Sequence, residues 1–472
     1  MTTLRFHGSA AVLLLPLALF VAVTAKLFIS EAAFDLTGLA AAGVLTLFSG
    51  SLLSKAPSEY WKAAVRGASS ELTGTVVLIL IASGIFSAMM KASGVADGLV
   101  FLGGMLHLTG HAFTVFVLLA SSLMAAATGS SIGTLLAAMP IFFPAGVALG
   151  ADPAMLAGAV LSGAIFGDNL APVSDVTVIS SVTQRFRNGT PADIAGVVRT
   201  RLPYALIALA VSLPVYAFMG ESLPVSEAAL SGDASALLML VPVAVLIAVA
   251  VKTRDVLMAI SAGAVTGTAT GLLIGRLSFA TIFAADDGRL SGFLISGISN
   301  VSPIILLCVT LFAFTGIVRE AGVPDMMAKA LEAGSAGRPS ALRTELFLSA
   351  TTLVVTTLFA AVTSASVALV GSLTDDIGRA SNVHPYRRSH ILSGLANSLP
   401  VLMPFSAFVL ITMAAVSGLE GAAAVTPFTL MTAAFYPIAL FLVFGFMVLT
   451  GTGRMMETPE PEAAEAKTAT AL

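Results

Sequence analysis

Four aspartates stand inside apolar runs of this chain: Asp168, Asp175, Asp375 and Asp376. An aspartate at membrane depth costs roughly 2.5–3.5 kcal/mol on insertion scales, so such residues are rarely idle. Asp168 and Asp175 lie seven residues apart in "SGAIFGDNLAPVSDVTVIS", with Gly167 before the first and Pro172 between them. On an intact helix that spacing sets both on one face, two turns apart. The proline instead favours an unwound link, with both carboxylates facing one cavity. Burial disfavours a carboxylate's charged form and a bound cation restores it, so a proton and a metal ion compete for one site. The residues are therefore read as an exchange site. Asp175 is the exchanging carboxylate, and Asp168 is a co-ligand or a stabiliser of the link. Asn169, Ser174 and Thr177 supply neutral oxygens to a cation that the two carboxylates would hold. Asp375 and Asp376 form a second acidic pair, with Arg379 close enough to be their partner. Asp97 and Asp325, beside turn residues, read as loop acids, and His107, His111, His384 and His390 as interface or loop residues.

The elements that position these groups must be membrane spans. Of 472 residues 57% are hydrophobic and only 10% charged, where a soluble domain carries roughly 25%. Apolar runs of about 20 residues recur from end to end, so the chain is polytopic. A net charge of -3 argues against a nucleic-acid partner, and the single cysteine, Cys308, excludes an internal disulfide and reads as core packing. Residues 9–30 read as an uncleaved first helix rather than a signal peptide. About fourteen runs are long enough to cross, of which 153–183, 364–380 and 389–416 look interrupted. Residues 97–109 and 289–300 read as short surface or re-entrant pieces. Lys55, Lys62 and Arg66, then Arg185, Arg187, Arg199 and Arg201, then Lys252 and Arg254, then Arg379, Arg387 and Arg388, all read as loop charges on one side. Lys and Arg gather on the cytoplasmic side, so a multi-pass inner-membrane protein with both termini in the cytoplasm is expected.

Two halves of the chain echo each other. "SGIFSAMMKASGVAD" (Ser83–Asp97) resembles "TGIVREAGVPD" (Thr315–Asp325), and "ATGSSIG" (Ala127–Gly133) resembles "VTSASVA" (Val362–Ala368). "LSGAIFGDNLAP" (Leu161–Pro172) resembles "LSGLANSLPVLMP" (Leu392–Pro404), in the same order. An odd number of crossings, about seven, separates the copies, so the second runs upside down, as in many secondary transporters. Small polar residues mark where helices unwind: Thr128, Ser130 and Ser131 in one copy, Thr363, Ser364 and Ser366 in the other. Gly167–Pro172 and Asn397–Pro404 form a second pair of breaks, whose freed carbonyls can coordinate a cation. The expected fold is an all-α polytopic membrane protein of about 12–14 transmembrane helices in two inverted-topology repeats with broken helices. Residues 1–71 hold N-terminal helices, 72–183 the first repeat, 184–300 connecting helices and 301–416 the second repeat. A C-terminal helix (417–450) and a disordered tail (451–472) complete the chain.

The stretch "FGDNLAPVSDVT" resembles the G-D-x-x-S-P-x-S-D-T-T signature of NhaC-type sodium/proton antiporters, and "ATGSSIGTLLAAMP" and "VVRTRLPYAL" also look like that family. Gly167, Asp168, Pro172, Ser174, Asp175 and Thr177 match; Ala171 and Val176 stand where the family has hydroxyls, which shifts ligands onto Asn169 and backbone carbonyls. The resemblance implies exchange of sodium for protons, with no cofactor beyond a bound sodium ion. The partners implied are a monovalent cation and a proton, or a small organic solute, within a lipid bilayer; homodimer assembly stays open.

Two rivals remain. "GSSIG" (Gly129–Gly133) fits a serine-hydrolase pattern in form but lacks the strand that motif requires. No G-x-G-D precedes Asp168 and no P-loop appears, so an enzyme or an ATP-driven pump is not expected. The closer rival is a sodium- or proton-coupled transporter of a small organic acid or amino acid, for which Arg379 or Arg319 would be the anion partner.

Overall fold

The structure is a computed structural model that describes residues 4–7, 10–27, 36–172, 174–220, 234–253, 255–286, 289–322 and 340–457. Helices dominate it, with one small hairpin between β1 (Ala284–Asp286) and β2 (Arg289–Ser291). The first half holds α1 (Leu14–Ala25), α2 (Leu36–Leu53), α3 (Pro57–Ala68), α4 (Glu71–Ser93) and α5 (Val95–Met105). It continues with α6 (Gly110–Thr128), α7 (Ser131–Ala148), α8 (Pro153–Leu170), α9 (Asp175–Val182) and α10 (Ile194–Phe218). The second half holds α11 (Leu240–Thr253), α12 (Val256–Leu273), the single turn α13 (Phe279–Ile282) and α14 (Phe293–Glu320). After it come α15 (Ala341–Leu358), α16 (Thr363–Ala380), α17 (Pro385–Ala396), α18 (Ala407–Val416), α19 (Pro427–Ala433) and α20 (Phe435–Thr450).

Local chemistry sets the helix ends. Ser70, Ser130, Asp152 and Ser406 each accept the main-chain N–H three residues on, satisfying an orphan donor of a first turn. Gly94 and Gly129 take left-handed conformations that close α4 and α6. Large side chains such as Leu123 (73% exposed) and Leu273 (87% exposed) point outward. In water these would be a liability; against acyl chains they are the expected surface.

Among the described residues six helices are long and apolar enough to cross a membrane, or eight if each bent pair counts as one span. The bent pairs are Pro385–Leu402 with Ala407–Val416 (53°) and Pro427–Ala433 with Phe435–Thr450 (54°). Other expected spans are shorter apolar helices, Ala40–Leu53, Ser235–Ala250 and Leu257–Leu273 among them. The chain is an all-α polytopic membrane protein whose hydrophobic stretches are broken more often than hydropathy alone reveals.

Several expectations are corrected. Residues 289–300 are no re-entrant piece, because from Phe293 they form the first turns of the 28-residue α14. Residues 417–450 are two bent helices rather than one. Residues 451–457, assigned to a disordered tail, pack against the turn before α17: His384 donates its main-chain N–H to Met455 O (3.0 Å), and Glu457 to Asn382 O (2.8 Å). Met456 pairs with Val383 in an isolated bridge.

α14 runs antiparallel to α3 and α4 and touches each of them where glycine allows backbone contact. A Cβ on Gly84 would come within 2.4 Å of Gly297 O, and one on Gly67 within 2.3 Å of Phe312 O, beside Gly316. Packing between the halves is reciprocal. α7 lies on α18 as α9 lies on α16, α2 on α14 as α12 on α4, and α8 on α20 as α17 on α10.

Candidate functional site

α6 and α7 form an antiparallel hairpin: the Gly110 N–H at its base donates to Leu149 O at 2.8 Å. Its tip is Gly129 (φ 68°) and the extended Ser130. α8 runs beside α6 with Gly163 and Gly167 at the contact; a Cβ on either would meet the α6 backbone within about 2.5 Å. α8 ends at Leu170 because the residue before a proline is pushed out of the helical region. Ala171, before Pro172, is extended (φ -63°, ψ 124°). The break thus follows Leu170; Gly167–Asn169, expected to be unwound, are still helical.

That geometry sets the last turn of α8 against the hairpin tip. The Ser131 hydroxyl, at the first position of α7, donates to Asp168 Oδ2 at 3.1 Å, and Asp168 is only 4% exposed. No basic side chain pairs with it among the described residues. Asn169 is fully buried: its Oδ1 accepts from Ser393 Oγ (3.1 Å) and its Nδ2 donates to the Tyr436 hydroxyl (3.4 Å). Ser174 is buried with its hydroxyl unpartnered, and Thr177 is buried in the first turn of α9.

Asp175 departs from the reading that made it the exchanging carboxylate. It is exposed at the first position of α9, so the desolvation that reading needs falls on Asp168 instead. Thr128 ends α6, 3.4 Å from the Thr134 hydroxyl, and Ser130 caps α7 through the Gly133 N–H.

Between α15 and α16 the chain turns at Ala360 and Ala361, both left-handed (φ 51° and 59°) without glycine to relieve them. The Ala407 N–H, at the start of α18, donates to Ala360 O at 2.8 Å, so this tip also sits beside a break, Asn397–Ser406. Asn397 is fully buried and neither amide atom has a partner. Thr363, Ser364 and Ser366, expected to be unwound, instead form the first turn of α16, with Ser366 Oγ donating to Val362 O. Among the described residues none of the three bonds to the Asp168 cluster.

Asp375 is already engaged: Arg388 lies at 2.7 Å, Arg379 at 3.2 Å, and the Arg185 main-chain N–H at 2.8 Å. The Asp376 side chain lies outside the described residues.

Arg201, Arg387 and Arg388, assigned to loops, are fully buried helix residues. Arg201 Nη1 donates to Asn169 O (2.7 Å), Ser393 Oγ (2.8 Å) and Thr177 Oγ1 (3.2 Å), fastening the end of α8 to α9 and α17. Arg387 and Arg454 both clasp Glu345, itself fully buried. His390, expected at an interface, is buried in α17 with Nε2 2.9 Å from the Thr200 hydroxyl.

Residues 3–221 match the family model described as "Na+/H+ antiporter family", a segment that ends just beyond α10. The chain is 33% identical over 158 residues to a malate-2H(+)/Na(+)-lactate antiporter of Bacillus subtilis, covering 34% of this chain and 32% of that protein. It is 40% identical over 104 residues to the Na(+)/H(+) antiporter NhaC of Alkalihalophilus pseudofirmus, covering 21% and 22%. An uncharacterized Na(+)/H(+) antiporter of Haemophilus influenzae is 24% identical over 324 residues, 62% of this chain and 67% of that one. The first two matches span about a third and a fifth of those relatives' own length. Residues 3–221, a little under half of the chain, are thus similar to the Na+/H+ antiporter family.

Proposed function

We propose that the protein exchanges sodium for protons across the membrane, and that Asp168 is the carboxylate for which the two ions compete. One observation carries the assignment: Asp168 is buried at a helix end, held by one neutral hydroxyl and by no basic partner among the described residues. With the buried Arg201 guanidinium bonded to neutral oxygens and acting on Asp168 only at longer range, the carboxylate is completed by a proton or a cation. The unpartnered Ser174 hydroxyl offers a further oxygen to a dehydrated ion. The reading further takes the halves as inverted copies, each with a helical hairpin whose tip meets a broken helix. The reciprocal packing and the antiparallel course of α14 beside α4 support it. The face bearing Arg185, Arg187 and residues 451–457 is then the cytoplasmic one.

The test is a sodium jump imposed on reconstituted vesicles containing a pH dye. Asp168→Asn should abolish sodium-driven proton movement while the protein still elutes as a folded species; Asp175→Asn should retain it. Full exchange by Asp168→Asn, or its complete loss in Asp175→Asn alone, would refute the assignment. Malate and lactate, which the Bacillus relative's name includes, form the comparison arm.

A further inference from the structure

A cleft of about 290 Å³ opens between α14, the end of α18 and the loop that follows, lined by Asn300, Pro303, Ser417, Gly418 and Thr426. A narrower cavity of about 20 Å³ shares Asn300 and Ser417 with it and runs inward between Ser83 and Ser87 of α4 and Leu136 and Pro140 of α7. Leu136 lies five residues along α7 from Ser131, the residue that holds Asp168. At 1.5 Å per residue that is about 7.5 Å of helix. The cleft and the cavity therefore run from one face of the molecule towards the buried carboxylate.

The lining suits a cation that sheds water. Ser83 is 2% exposed, and its hydroxyl has no partner although it borders the inner cavity. Pro140 has no N–H, so the Leu136 carbonyl one turn earlier is left without its helical donor. The C-terminal end of α18, with its partial negative charge, lies against both spaces. Among the described residues no carboxylate lines either space, so an ion would be handed on by neutral oxygens rather than trapped. At the mouth Lys91 donates to Gly418 O, where its charge opposes an incoming cation.

We propose that this cleft is the access route by which a monovalent cation reaches Asp168, with the Ser83 hydroxyl and the Leu136 carbonyl as a neutral way station. The proposal rests on the exchange reading above, and its test separates the two. In a Cys308→Ser background, Ser417→Cys, Ser87→Cys and Ser83→Cys are each exposed to a membrane-impermeant methanethiosulfonate. The reagent is applied to vesicles of each orientation, with and without sodium. All three positions should label from the same side, Ser417→Cys fastest. Saturating sodium should slow labelling of Ser83→Cys at least threefold and leave Ser417→Cys unchanged. Adding Asp168→Asn should abolish exchange but keep the labelling order, so loss of exchange and loss of the route are read separately. Lys91→Gln should lower the sodium concentration for half-maximal protection at Ser83→Cys. Two results would overturn the route: Ser83→Cys and Ser87→Cys unlabelled from either side while Ser417→Cys reacts, or labelling of Ser83→Cys indifferent to sodium.

Discussion

Asp168 and Asp375 are both buried aspartates, and their partners make them answer the same substitution in opposite ways. Asp375→Asn removes the negative charge facing Arg388, whose side chain is fully buried at 2.7 Å. Taking one member from a buried pair costs roughly 3–5 kcal/mol, because the other charge stays behind uncompensated. Arg388 keeps two main-chain acceptors, Arg185 O at 2.6 Å and Asp375 O at 2.9 Å, which holds the loss near the low end, about 3 kcal/mol. The Arg379 arm, with its side chain 33% exposed, adds no more than about 1 kcal/mol. Asp168→Asn instead removes a charge that has no basic partner among the described residues, and the new amide oxygen can still accept from Ser131. Its stability should stay within about 1 kcal/mol of the parent, or rise. Unfolding by SDS titration in mixed micelles reads the first quantity, and sodium-driven exchange the second. Asp375→Asn should unfold at a clearly lower SDS fraction with an unaltered sodium half-saturation; Asp168→Asn should do the reverse. Should Asp375→Asn keep full stability and raise the sodium half-saturation tenfold, Asp375 would be a cation ligand and the division of roles would fall.

Three further outcomes follow from the same geometry. Glu345→Gln should destabilise the protein by about 3 kcal/mol or more, because Arg387 is as buried as Glu345 itself; Arg454→Gln, losing a partner whose side chain is 25% exposed, should cost about 1 kcal/mol. SDS unfolding that ranks the two equally would contradict this. Half-burial lowers the His384 pKa below its ordinary 6.5, and its neutral Nδ1 accepts the Tyr386 N–H that starts α17. Because the folded-state pKa is depressed, this stability is complete above about 6.5 and is lost as pH falls through the lower folded value. Hydrogen exchange at residues 384–388 should speed up on acidification, and His384→Ser, a cap that does not titrate, should flatten the response. Arg201→Lys keeps the charge but loses the planar fork that reaches Asn169 O and Ser393 Oγ together. One lost charge-assisted bond, about 1.5 kcal/mol, should raise the sodium half-saturation roughly tenfold, and an unchanged value would remove Arg201 from the site.

The positions of the breaks were legible to within a few residues, and the misses share one cause. Clusters of Ser and Thr read as unwound segments, yet Ser130 caps α7 and Thr363 opens α16. These side chains satisfy the orphan donors of a first turn, so a small polar cluster marks where a helix begins, and the unwound residues lie just before it. At the second tip those residues are Ala360 and Ala361, whose left-handed conformations no composition rule would pick out. Asn397–Pro404 was placed correctly because Pro400 and Pro404 fall inside the break itself. Pro172 misplaced the first break only by ending the helix at Leu170 rather than at Gly167.

The charges were harder to read, for a reason that bears on the site. A window of about twenty residues averages an arginine with its neighbours, so Arg201, Arg387 and Arg388 look like loop residues at span edges. Their acceptors come from other parts of the chain: Asn169 and Ser393 for Arg201, Glu345 for Arg387, Asp375 and Arg185 O for Arg388. No local spacing encodes such partners. A usable signal was present for Arg387 and Arg388, since Pro385 at the first position of a helix pulls "YRRSH" into that helix rather than a loop. The consequence for selectivity is direct. Arg319 and Arg379, the candidates for an anion partner, are not the arginines at the site; Arg201 is, and the acceptors its Nη1 reaches within 3.2 Å are neutral protein oxygens. That guanidinium fastens the broken helix through neutral oxygens, and on the exchange reading proposed above the cation is left to Asp168.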